Sequence, residues 1–221
     1  MREFDCVLFD LDGTLLDTSY DFAWALNTLQ KQESVPLTPY WRIRQTISSG
    51  GRAVVKLGFP DADDATIEAL RERFLALYHE NISVHTDLFP GLEKVLTHLQ
   101  EKAVPWGIVT NKPAWLTDKL LGELDLPAQP QTVVSGDTLA VRKPHPEPMW
   151  LAAEQCGVAP ERCLYIGDHP RDIEAPRNAG MQSAAALYGF LPLDAEPDSW
   201  PADYRYHAPA DILHHMQKVF P

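Results

Sequence analysis

Apolar residues recur along the chain in short runs near residues 4–9, 105–109, 131–135, 163–167 and 182–187. Runs of this length predict strands. Between most of them the apolar positions change to helical spacing. Leu92, Val95, Leu96 and Leu99 mark one face of a helix over 91–102, and residues 113–124 and 146–156 read the same way, the first opening on Pro113. Continuous apolar strands separated by helices predict an α/β fold with a parallel sheet. Ligands of such sheets sit at the carboxyl ends of the strands.

Residues 16–86 break the alternation. They show no convincing strand and read as helices. Phe22, Ala25, Leu26 and Leu29 form one apolar face, and Ile67, Leu70, Phe74, Leu77 and Tyr78 form another. Thr38-Pro39 predicts an N-cap followed by proline in the first helical position. The segment is too long for one crossover helix, so it is expected to stand as a helical insertion. Beyond Tyr188 the chain is rich in proline and acidic residues, with a short helix expected near 210–218.

A chain of 221 residues with 45% hydrophobic and 23% charged residues can bury a large core in the manner of an ordinary globular protein. Its net charge of −12 disfavours nucleic acid and anionic membranes as partners. An anionic substrate must then be drawn in by local positive charge. No signal peptide and no bilayer-spanning apolar run is read. Cys6, Cys156 and Cys163 are scattered, form no CxxC, and are expected as thiols, with Cys6 and Cys163 buried in strands. A cytoplasmic protein, monomer or homodimer, is the expectation.

The first strand ends in Asp10-Leu11-Asp12-Gly13-Thr14. Side chains at i and i+2 of a strand point the same way, and two carboxylates on one side repel unless a cation or proton is shared. Hard oxygen ligands of this kind suit Mg²⁺. An Asp-Gly turn after a strand is the plain alternative, and it predicts no partners further on. Partners follow in order: Thr110 and Asn111 after the strand-like run 106–109, Lys143 within Arg142-Lys143-Pro144-His145-Pro146, and Asp168 and Asp172 within Gly167-Asp168-His169-Pro170-Arg171-Asp172.

This ordered set resembles the haloacid dehalogenase superfamily, specifically its phosphatases of the phosphoglycolate phosphatase type, and the resemblance spans nearly the whole chain. It implies a Rossmann-like core over residues 1–15 and 87–221 and an inserted helical cap of the C1 type over 16–86. It further implies a Mg²⁺-dependent hydrolysis of a small phosphorylated metabolite. Asp10 is then the nucleophile that forms an aspartyl-phosphate, and Asp12 the acid and base. Thr110, with Asn111 as a further donor, and Lys143 would hold the phosphoryl oxygens. Thr14 would support the loop and lie with the substrate-binding residues. The implied metal ligands are Asp10, the Asp12 carbonyl and Asp168, with Asp172 behind them orienting waters or Lys143. The chain departs from the commoner family form at Pro176, where glycine is usual.

In the insertion, Ser48-Ser49-Gly50-Gly51-Arg52 interrupts two helical patterns. One reading is a glycine helix terminus. The other is a specificity loop in which Gly51 and Arg52 reach the substrate, the arginine holding a carboxylate or sugar oxygens. This stretch also resembles N-acetylmuramic acid 6-phosphate phosphatases of the same family. A phosphomutase would share every core motif. A dehalogenase would have no use for Asp12, and a non-catalytic binding protein would be expected to have lost a motif residue, whereas none is missing. Trp24, Trp41 and Trp115 are read as packing residues, and His145, His214 and His215 as surface or structural.

Overall fold

The computed structural model describes residues 2–221. The first strand, β1 (Cys6–Phe9), is buried at every position. After a turn comes the two-residue β2 (Leu16–Asp17), and then four helices: α1 (Ser19–Gln32), α2 (Tyr40–Arg44), α3 (Gly51–Gly58) and α4 (Asp64–Glu80). The chain returns through β3 (Asp87–Leu88) and continues as α5 (Leu92–Glu101), β4 (Trp106–Val109), α6 (Ala114–Glu123), β5 (Thr132–Val134) and α7 (Glu147–Cys156). It closes with β6 (Cys163–Gly167), α8 (Pro170–Asn178), β7 (Gln182–Ala186), β8 (Tyr204–Tyr206) and α9 (Pro209–Val219).

Six strands form one parallel sheet in the order β5-β4-β1-β6-β7-β8. A strand sends alternate side chains to opposite faces, and two apolar layers result. Val7, Phe9, Leu164 and Ile166 join the larger layer with residues of α5, α6, α9 and the inserted helices, whereas Cys6, Leu8, Cys163 and Tyr165 face α7 and α8. Both faces are covered, which is why the strands read as unbroken apolar runs.

β1 lies between β4 and β6, the position where the strand order changes direction and where such sheets open a crevice. The register places Phe9 opposite both Ile108 and Ile166. Asp10 follows Phe9 directly, and Thr110 and Asp168 come two residues after those partners. Three motifs separated widely in sequence therefore leave the sheet at one edge.

Several details differ from expectation. The start of the insertion holds a strand after all: β2 pairs antiparallel with β3, too short to show a period of two. β8 is a sixth strand of three residues in the proline-rich tail, equally short of a pattern. Thr38 does not cap α2. It is buried and paired with Gln30 of α1, whose amide donates to Thr38 Oγ1 at 3.0 Å and whose Oε1 accepts from Thr38 N at 2.9 Å. Trp24, Trp41 and Trp115 keep much of their surface in solvent, and Trp115 lies against His79 of α4. Pro176 sits inside α8, buried, and the helix ends two residues later. A proline there removes one helical hydrogen bond. The three cysteines, scattered in sequence, meet on one face of the sheet, where Cys6 touches the thiols of Cys156 and Cys163 and its own thiol is pushed up by those contacts.

Candidate active site

The carboxyl edge of β1, β4 and β6 forms the floor of a cavity of about 660 Å³ whose other wall is the helical insertion. Asp10, Asp12, Thr110, Asn111 and Lys143 line the floor, and Ile47, Ser48, Gly51, Arg52 and Leu75 line the opposite side.

Lys143 organises the floor. Its Nζ lies 3.0 Å from Asp10 Oδ1 and donates to Asp172 Oδ1 at 2.7 Å and to the Tyr165 hydroxyl at 2.6 Å. The Tyr165 hydroxyl donates onward to the Val109 carbonyl at 2.7 Å. Asn111 fixes the backbone of Lys143 from both sides, donating to its carbonyl at 3.0 Å and accepting from its amide at 3.1 Å. The lysine side chain is wholly buried, and a buried charge is tolerated only when it is paired and hydrogen-bonded. Burial raises the Asp10 carboxyl above its ordinary range, and Lys143 opposes that shift.

Oxygens of Asp10, Asp168 and Asp172 lie within 4.8 Å of one another, and all three residues are buried. Asp168 Oδ2 accepts from Phe190 N at 2.7 Å and from Ser48 Oγ at 2.9 Å, the latter a residue of the insertion. Asp168 Oδ1 is buried with no hydrogen-bond donor among the described residues. Burial and the two neighbouring carboxylates push Asp168 up to about 7. A buried carboxylate oxygen without a donor, beside two further carboxylates, has the chemistry of a hard divalent-cation site. The residues present fit such an ion.

Asp12 belongs to a different set of contacts. Its Oδ1 accepts from Thr18 Oγ1 at 2.8 Å and from Lys112 Nζ at 3.0 Å, and Lys112 also reaches Oδ2 at 3.3 Å. Desolvation holds the Lys112 ammonium below its ordinary range, and the charge of Asp12 opposes it. On the other side of the floor Arg171, half-buried, donates through Nη2 to the Ser48 carbonyl. His169 opens α8, accepting from Arg171 N, and burial together with the Arg171 charge lowers it to about 4.

The structure brings Asp10, Asp12, Thr110, Asn111, Lys143, Asp168 and Asp172 to one place. Thr110 presents its oxygen to the amide of Lys112 at 3.2 Å and lines the cavity. Asn111 is turned to the Lys143 loop, and Asp172 holds Lys143 and the His169 amide. Thr14 departs from expectation. It is wholly buried, is not among the cavity-lining residues, and its hydroxyl has no partner among the described residues, while its carbonyl accepts from the Tyr188 hydroxyl. Gly51 and Arg52 open α3 at the cavity wall, with the arginine bound to Asp64 at 2.6 Å and Glu68 at 2.7 Å on α4.

Lys112, Thr18, Ser48, Tyr165 and Arg171 were not singled out by sequence. Lys112 and Arg171 are charged residues inside the motif segments, a signal that could have flagged them. Tyr165 is a polar-tipped ring in an otherwise apolar strand. Ser48 opens the glycine-rich break in the insertion, where attention fell on Gly51 and Arg52, and Thr18 carries no local signal.

Residues 7–186 match the family model described as haloacid dehalogenase-like hydrolase. The chain is 41% identical over 212 residues to a phosphoglycolate phosphatase from Xanthomonas campestris pv. campestris, covering 96% of each. It is 36% identical to an N-acetylmuramic acid 6-phosphate phosphatase from Pseudomonas aeruginosa, covering 94% of this chain and 92% of the relative. Among solved structures, a hydrolase from Pseudomonas syringae superposes with a TM-score of 0.75 at 27% identity, over 99% of this chain and all of the other. A haloacid dehalogenase-like hydrolase from Streptococcus pneumoniae, at 22% identity, shares the fold with a TM-score of 0.81 over 98% and 100%. With the site geometry and these likenesses together, the chain belongs to the haloacid dehalogenase-like hydrolase family and is an enzyme of its phosphatase branch.

Proposed function

We propose that the chain is a Mg²⁺-dependent phosphatase that hydrolyses a small phosphate monoester through a phosphoryl group carried on Asp10, with phosphoglycolate as its first candidate substrate. The observation that carries this reading is the buried set of Asp10, Asp168 and Asp172 at the cavity floor, two of them, Asp10 and Asp172, paired with Lys143. Asp10, the Asp12 carbonyl and Asp168 would hold the ion, which when bound neutralises phosphoryl charge and orients the group.

Lys143 and Thr110 bind the phosphoryl oxygens in this reading, and Asp10 attacks phosphorus in line. Asp12 gives its proton to the leaving oxygen, then takes one from the water that frees phosphate from Asp10. Asp172 and Asn111 position Lys143. Arg52 is available to a leaving group only by giving up its two carboxylate partners, so its part in specificity is the weaker element. Residues 16–86 act as the cap that closes the site. A reducing cytoplasm suits an enzyme whose three cysteines stay thiols.

A second substrate has its own support. Phosphoglycolate, with about nine heavy atoms, leaves most of a 660 Å³ cavity empty, whereas sites that bury a ligand run to roughly 300–1,000 Å³ for much larger molecules. An amino-sugar acid phosphate such as N-acetylmuramic acid 6-phosphate fills it better.

Phosphate release from a panel containing both compounds, with and without Mg²⁺, tests the reading. Asp10→Asn, which keeps the shape and removes the anion, should abolish turnover while leaving the fold intact by circular dichroism. Full activity after exhaustive chelation, or in Asp10→Asn, would refute it. A product carrying phosphate on a new hydroxyl would make the chain a mutase.

A further inference from the structure

Lys112 has no part in the steps above, yet it joins Asp12 to the insertion. Its side chain is 3% exposed. Nζ lies 3.0 and 3.3 Å from the two oxygens of Asp12 and donates to the Tyr78 hydroxyl of α4 at 2.9 Å. The Phe22 ring of α1 and the Tyr78 ring lie together beside the ammonium, with centroids at 5.0 and 4.5 Å. Two helices of the insertion and the loop after β4 thus converge on one buried charge. Lys143 occupies a separate set of contacts around Asp10, so the two lysines do not duplicate each other.

We propose that Lys112 is a positioning residue for Asp12, and that its site is complete only when the insertion is closed over the core. The inference rests on Asp12 acting as acid and base. As the bond between phosphorus and the leaving oxygen breaks and the bond to Asp10 forms, the Asp12 proton passes to the leaving oxygen. The carboxylate left behind lies against the Lys112 ammonium and the Thr18 hydroxyl, preorganised charges of the kind that stabilise a developing anion where water is scarce. That oriented carboxylate then accepts the proton of the attacking water as the bond from Asp10 to phosphorus breaks. Tyr78 and Phe22 supply the rest of the lysine's surroundings, so an open insertion leaves Lys112 half-solvated and Asp12 without its guide.

The test compares two substrates. An alkyl phosphate expels a poor leaving group and needs a proton from Asp12, whereas 4-nitrophenyl phosphate expels a stable anion and needs almost none. In Lys112→Met, kcat/KM should fall about 10²-fold on the alkyl phosphate and less than about tenfold on the aryl phosphate, the difference that losing an acid produces. Tyr78→Phe keeps both rings and removes only the hydroxyl, and should show the same selectivity at smaller size. Inhibition by inorganic phosphate should be unchanged in both variants.

An equal loss on the two substrates, no loss on either, or weakened phosphate inhibition would overturn the proposal, the last by making Lys112 a phosphate ligand. Should Lys112→Met fail to fold, Tyr78→Phe decides by the same criteria. Asp12→Asn separates the two levels of the argument. If it treats both substrates alike, the acid–base role of Asp12 fails and this inference with it. If Asp12→Asn is selective and the Lys112 and Tyr78 variants are not, the inference alone fails.

Discussion

Gly13 shows how one residue sets the position of another far away in sequence. Its φ of +84° lies in the left-handed region, and a β-carbon there would come within 2.1 Å of Asp168 Oδ2. Gly189 approaches closely as well, where a β-carbon would meet Asp168 Cβ at 2.4 Å. Asp168 is therefore seated against two bare backbones, close to Asp10. Gly13→Ala should cost about 1–2 kcal/mol from the left-handed backbone alone and should also displace Asp168. The expected outcome is a lower Tm together with weaker Mg²⁺ binding by calorimetric titration. Native Mg²⁺ affinity in a folded Gly13→Ala protein would show that Asp168 does not depend on this seat.

At the scale of elements, the insertion is tied at its root. β2 and β3 pair where the chain leaves and re-enters the core. Just beyond, Asp21 in the first turn of α1 accepts from the His85 amide at 3.0 and 3.1 Å and from the Thr86 hydroxyl at 2.8 Å. Asp21 is 1% exposed, so removing it strands the buried Thr86 hydroxyl and leaves the His85 amide without its acceptor. Asp21→Ala should destabilise the protein by about 1–3 kcal/mol, read from urea unfolding. A change below about 0.5 kcal/mol, the range of an indifferent surface substitution, would refute this account of the hinge. The distal end of the insertion is held differently, by Ser48 against Asp168 and by Arg44, which donates to the carbonyls of Tyr188 and Gly189 at 3.2 and 3.0 Å.

For the whole molecule, the net charge of −12 and the buried acids set a common electrostatic problem. Three carboxylates meet in a place where water cannot screen them, and Lys143 and Arg171 answer only part of that charge. Asp168, raised from 3.8 to about 7, binds its proton more tightly folded than unfolded. Its contribution to stability is present below about pH 3.8 and is lost as pH rises through about 7. Chelated protein should therefore lose stability across that window. A divalent cation replaces the proton and restores it, so the rise in Tm on adding Mg²⁺ should be larger at pH 8 than at pH 6. Scanning calorimetry at the two pH values checks this, and equal gains would remove Asp168 from the ion's surroundings. Among the described residues no helix is long and apolar enough to cross a membrane.

The alternation of strands and helices was legible in the chain because strands covered on both faces must be apolar throughout, and because helices keep their own period. The order of the acidic, threonine and lysine motifs was legible because the first two kinds end such strands and the lysine lies in a loop that follows one. The short pieces were not: β2, β3 and β8 hold two or three residues, fewer than any period needs to declare itself. Nor were the contacts that give the site its polarity. Lys112 and Asp12 lie 100 positions apart, and Ser48 and Asp168 lie 120 apart. The first pairing depends on β1 and β4 lying side by side, the second on how the insertion is set down on the core, and no local pattern encodes either. The sequence by itself determined the sheet, the insertion and the residues at the sheet edge. Only the tertiary structure decided which charge faces which, because desolvation and pairing act through space between groups that the chain keeps far apart.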